Sequence, residues 1–99
     1  MDHNAMAIGV LKLFLYLPGC SSLKEKRSRL KPVIARLHRE FNISVAEVDN
    51  QDTWQNAVIA CALVSNSSAQ TQRSLQKVTQ WLENNWMDVE VVDDAIELI

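Results

Sequence analysis

Two stretches of this chain, Met6 to Leu17 and Trp54 to Ser65, are apolar on both of their alternating faces, and this pattern most constrains the fold. A strand covered on both sides belongs in the middle of a sheet, so each run predicts a central strand. In the first run Leu11, Leu13, Leu15 and Leu17 share one face, and Ile8, Val10, Lys12, Phe14 and Tyr16 share the other. In the second, Ala57, Ile59, Cys61 and Leu63 alternate with Val58, Ala60, Ala62 and Val64. After each run comes a serine with a side-chain acceptor three residues later, Ser22 with Glu25 and Ser67 with Gln70. Both pairs fit a capping box, in which the serine hydroxyl accepts the amide of the fourth residue and the glutamate or glutamine reaches back. A strand leading into a helix is therefore expected twice.

Helical spacing of Leu23, Leu30, Val33, Ile34, Leu37 and Phe41 carries the first helix to Asn42, a residue able to close it in the left-handed conformation. Pro32 falls inside it and predicts a kink or a distorted turn, because proline removes one hydrogen bond and crowds the carbonyl four residues earlier. Ile43 to Asp49 reads as a second strand, joined to the Trp54–Ser65 strand by a polar hairpin loop. Thr71, Leu75, Val78 and Leu82 form the inward stripe of a second helix ending near Asn84 and Asn85. A last strand is expected from Met87 to about Asp93, with the following DDAIELI as a tail that extends it or covers the sheet. The order βαββαβ, with the doubly apolar strands first and third, predicts an α+β ferredoxin-like sandwich: an antiparallel sheet with two helices on one face.

Ninety-nine residues suit one domain, and 47 % hydrophobic with 22 % charged residues suits a folded one. Residues 1–99 are read as a single domain, with 1–5 as a flexible tail. No apolar run reaches the ~18 residues that span a bilayer, and the N-terminal residues lack the basic start of a secretion signal. A cytoplasmic protein with no membrane contact is expected. Cys20 and Cys61 are far apart and belong to no CxxC or Cys/His pattern, so neither a disulfide framework nor a zinc site is expected, and no cofactor is expected.

The net charge of −2 conceals a division. Between Lys24 and Glu40 stand seven basic residues and two acidic ones, so the remainder of the chain is strongly acidic. Clustered charge on one helix makes a local positive field whatever the total. The residues LPGCSSLKEKR, FNISVAEVD and DTWQNAVIACALVSN also resemble the YlxP-like family of small bacterial proteins, over about residues 7–97. What the resemblance implies is a ferredoxin-like cytoplasmic domain, often encoded beside translation initiation and ribosome maturation factors, with no catalytic residues to carry over.

Projection at 100° per residue places Lys24, Arg27 and Lys31 within about 60° of one another, with Arg39 about 60° further round. This stripe is a candidate phosphate contact for structured RNA or a ribosomal subunit, and the helix start at Ser21 and Ser22 is a candidate anion pocket. The alternative is a solvated helix face, with Glu25 and Arg29 paired at i, i+4. Two helices on one side leave Val10, Phe14, Tyr16, Val58, Ala60, Ala62 and Val64 on the far face. That apolar surface predicts self-association into a homo-oligomer. The third strand offers no aromatic residues on that face, which excludes base stacking on the central strands. Glu47, Asp49 and Asp52 are the candidate cation ligands of a metal-dependent hydrolase, on the expectation that Glu47 and Asp49 share a strand face. Glu47 is also expected to pair with Arg27 or Lys26, since an unpaired charge among apolar neighbours is costly. Trp54, with Trp81 and Trp86, is read as a core or interface anchor. The preferred reading is a non-catalytic RNA-binding protein that associates through its sheet. The runner-up is a homo-oligomeric regulatory or small-ligand domain.

Overall fold

The computed structural model describes residues 6–50 and 52–99, and the expectation for residues 1–5 lies outside them. Strand β1 (Ala7–Tyr16) leads into helix α1 (Leu23–Glu40), followed by β2 (Ser44–Asp49), β3 (Asn56–Ser65), α2 (Ser68–Asn85) and β4 (Glu90–Leu98). The sheet order is β2-β3-β1-β4, with every neighbouring pair antiparallel. This is the ferredoxin-like arrangement, and the two doubly apolar strands occupy its centre.

The leucine face of β1 meets the helices. Leu11, Leu13, Leu15 and Leu17 are buried with Leu30, Val33 and Leu37 of α1 and Leu75, Val78 and Leu82 of α2 in one core. Gly9 sets how closely α2 approaches: a Cβ there would stand 2.5 Å from Thr71 Cγ2 and 2.8 Å from Leu75 Cδ1. Those two side chains are themselves fully buried and have no free space into which to retreat. β1 ends in a turn whose Cys20 amide donates to the Leu17 carbonyl at 3.3 Å. Pro18 at its second position and Gly19 at its third, with φ of 71°, fit the requirements of a type II turn.

Ser22 caps α1, its hydroxyl accepting the Glu25 amide at 3.0 Å, and Ser67 caps α2 by accepting the Gln70 amide at 3.2 Å. The helix α1 runs from Leu23 to Glu40 with Pro32 inside it. Pro32 and Ser28 both lie on the exposed side, so water can satisfy the carbonyl that proline leaves without its helical partner. Asn42 does not close this helix. Phe41 does, in an extended conformation with its amide donating to the Leu37 carbonyl. Among the described residues the non-glycine with positive φ is Asn50, in the β2–β3 turn, where the Thr53 amide donates to its carbonyl.

The C-terminal residues form β4 itself rather than a tail over the sheet. The strand starts at Glu90, later than expected, and the Ile99 amide still donates to the Ile8 carbonyl. Each edge strand carries an irregularity, between Glu47 and Asp49 on β2 and opposite Phe14–Leu15 on β4, leaving Val48 and Val92 as the extra residues.

Candidate nucleic-acid interface

The seven basic residues of α1 divide according to the side of the helix they occupy. Lys26 points inward and is only 1 % exposed. Its Nζ donates to the Asn50 carbonyl at 2.6 Å and lies 2.8 Å from Glu47 Oε2. The contact with Glu47 is an ion pair whose angle falls outside hydrogen-bond geometry, so the hydrogen bond itself goes to Asn50. One buried lysine thus joins α1 to β2 and to the turn after it. Glu47 pairs with Lys26, and the alternative partner Arg27 faces solvent.

Arg29 also faces structure. Its guanidinium donates to the Pro18 carbonyl at 2.8 Å, to both Asp88 carboxylate oxygens at 3.2 Å, and to the Asp88 backbone carbonyl. It ties the β1–α1 turn to the turn before β4. The expected Glu25–Arg29 pair is therefore replaced by Asp88 as the hydrogen-bonding partner of Arg29. Arg36 pairs with Glu40 at 3.3 Å and sits 5.4 Å from the centre of the Trp81 ring. Trp81 in turn packs edge-on against Phe41 and tilted against Trp86, so these two tryptophans anchor the helix layer. Trp54 lies apart from that cluster. It is 52 % exposed and lines a shallow cleft with Asp52, Thr53, Gln55 and Asn56 in the β2–β3 loop.

Lys24, Arg27, Lys31 and Arg39 are all exposed, and none forms an ion pair among the described residues. The first three share one surface with Ser28, Pro32 and Ala35, which add little bulk and no negative charge. The anion pocket expected at Ser21 and Ser22 is already taken by the chain itself. The Ser21 amide donates to Glu25 Oε2 at 2.6 Å, and the Ser22 hydroxyl accepts the Glu25 amide. These bonds complete a capping box displaced by one residue, because Glu25 reaches the amide before the cap. The Ser21 amide, aided by the Cys20 side chain, holds the Glu25 carboxyl below its ordinary range.

The carboxylates proposed as cation ligands do not gather on one face. The irregularity at Val48 places Glu47 opposite Ile59, on the core side, and Asp49 opposite Val58, on the open side. The shared face expected from alternation is corrected by that one extra residue. Asp49 instead accepts the amide of Asn50, and no group of three or more His, Cys, Asp or Glu residues among the described residues is arranged to hold a metal ion. Burial pushes the Cys61 thiol up to about 12, and Cys20 is buried with its thiol donating to the Ser22 carbonyl.

With this geometry established, the relatives can be placed. The family model described as "Protein of unknown function (DUF503)" matches residues 8–96. The chain belongs to that family. A DUF503-type relative, the "Uncharacterized protein YlxP" of Bacillus subtilis (strain 168), is 38 % identical over 77 residues, which cover 78 % of this chain and 84 % of the relative. The resemblance to the YlxP-like family therefore stands. Among solved structures the chain is similar to "De novo designed protein Foldit4", with a TM-score of 0.53 and 8 % identity, covering 95 % of this chain and 96 % of that one. At that identity the likeness concerns the fold alone. No helix among the described residues of this DUF503 member is long and apolar enough to cross a membrane.

Sequence reasoning selected the stripe residues that the structure leaves unpaired, yet it missed Arg29 and Asp88 as a structural tie. Fifty-nine positions separate them, and no local spacing signals such a pair. Lys12 is a second omission. It stands exposed on the open sheet face, where alternation already placed it, and its apolar surroundings were the available signal.

Proposed function

We propose that this chain is a non-catalytic, cytoplasmic binding protein that meets structured RNA, ribosomal RNA included, through the outer face of α1. The observation that carries this reading is the division of labour on the helix. Lys26, Arg29 and Arg36 are held by carboxylates, whereas Lys24, Arg27, Lys31 and Arg39 face solvent without one among the described residues. Phosphates neutralised by such cations release condensed counterions, which gives binding that weakens steeply with salt. A rigid helix pinned by Lys26 and Arg29 presents those charges in fixed order, and charged contacts held in place lose less freedom on binding.

The test is equilibrium binding of the purified chain to small ribosomal subunits and to an unrelated structured RNA, each at two salt concentrations. Subunit-selective binding that persists at the higher salt supports a ribosome-associated role. Absence of binding to either, or equal binding to both that salt erases, contradicts it.

A further inference from the structure

The open face of the sheet is built to pack against a copy of itself, and we infer that the chain forms a two-fold homodimer through it. Pairing across the four strands sets out the surface row by row. One row reads Ser44, Ala62, Val10, Glu97; the next Ala46, Ala60, Lys12, Ala95; the next Asp49, Val58, Phe14, Asp93. Apart from Lys12, the middle of this face is aliphatic and aromatic, and its margins carry carboxylates, Asp93 and Glu97 on β4 and Asp49 on β2.

Three features select a second copy as the occupant. First, the face carries both halves of a complementary shape. Val10 and the small residues Ser44, Ala46, Ala60 and Ala62 bound a shallow apolar depression of about 310 Å³, while Phe14 and Tyr16 stand further along β1. Small residues on one sheet and aromatic residues on the facing sheet interdigitate well. Second, it carries both halves of a charge pair. Lys12 lies exposed between Ala60 and Ala95 with no ion pair among the described residues, and Asp93 and Glu97 lie along the margin. An identical face supplies carboxylates for each lysine and a lysine for each margin. Third, the area suffices. Strands of six, ten, ten and nine residues at about 3.4 Å per residue, set about 4.8 Å apart, give each face roughly 570 Å² in plan. Two such faces reach roughly 1,100 Å², above the ~1,000 Å² that a specific interface should clear. The chain's own C-terminal residues do not cover this face, since they form the edge strand β4.

The edges of the sheet are poor alternatives for joining copies. β2 and β4 each carry a bulge and acidic residues, devices that discourage edge-to-edge pairing.

Sedimentation equilibrium of the purified chain, without RNA and across a wide concentration range, tests the inference independently of the binding reading. The expected result is a reversible dimer. Ala60→Glu places a charge on the depression and is expected to give a monomer with an unchanged circular dichroism spectrum. Lys12→Glu, at an exposed position that the fold does not need, is expected to weaken the dimer by about tenfold or more, and Glu97→Lys added to it is expected to restore part of that loss. A wild-type chain that stays monomeric throughout overturns the inference. So does a dimer that tolerates both Ala60→Glu and Lys12→Glu.

Discussion

The inner and outer sides of α1 carry similar numbers of basic residues and use them in opposite ways. On the inner side Lys26 is enclosed by Glu47 and the Asn50 carbonyl, and nearby Arg29 clamps two turns through Pro18 and Asp88. On the outer side Lys24, Arg27 and Lys31 touch no carboxylate among the described residues. Charge on a helix is therefore no single property. The inner lysine offsets its lost hydration with an ion pair and a hydrogen bond, so removing it strands a partly buried carboxylate. An outer lysine remains hydrated, and its removal is felt only by something that binds there.

The contrast yields a ranked set of expectations for stability. Lys26→Met should have the largest effect, lowering unfolding free energy by about 3 kcal/mol in urea titrations because Glu47 and the Asn50 carbonyl both lose their partner. Adding Glu47→Leu should recover most of that loss, and a double variant as unstable as the single one would show that the pair does not act as a unit. Arg29→Ala should cost about 1 to 2 kcal/mol, with local loosening of the β1–α1 turn and the turn before β4 visible by hydrogen exchange. Uniform protection in that variant would break the assignment of Arg29 as the tie between them.

A smaller, pH-dependent effect belongs to Glu25. Its carboxyl titrates below its ordinary 4.5, so the stabilisation it gives is present above that value and disappears as pH falls through the lowered one. Glu25→Gln should therefore flatten the acid limb of stability against pH, as read from thermal melts below neutrality. Smallest of all, neutralising Lys24, Arg27 or Lys31 singly should leave stability within about 0.5 kcal/mol of wild type. The same changes should lower the salt slope of RNA binding by about 1 for each phosphate contact removed.

The parts of this fold legible in sequence are those governed by short-range rules. Alternation in β1 and β3 showed which strands are central, because both faces must be apolar there. The two serine caps located the helix starts, since an N-cap and its acceptor lie only three residues apart. The failures share a different origin. Asp93 and Asp94 left open whether the last residues extend the strand or cover the sheet, and an edge strand tolerates their charge. Asp94 additionally meets Thr79 Oγ1 at 3.1 Å, a contact set by packing across the core side. The bulge at Val48 separated Glu47 from Asp49, and a single inserted residue leaves no periodic trace over a six-residue strand. For the candidate interface, helical projection sufficed to pick Lys24, Arg27, Lys31 and Arg39. The capping box already placed Glu25 on an amide at the helix start, in competition with the anion pocket read at Ser21 and Ser22; the bond goes to the Ser21 amide rather than that of Ser22.

The sharpest test of the two-sided helix measures RNA affinity at a fixed moderate salt for Lys24→Glu/Arg27→Glu beside wild type, with the urea midpoint taken on the same samples. The expected result is a midpoint close to wild type and an affinity at least about tenfold weaker, the scale of losing several phosphate contacts. Unchanged affinity in a variant of unchanged stability would contradict the assignment of the outer face of α1 as the RNA-binding surface.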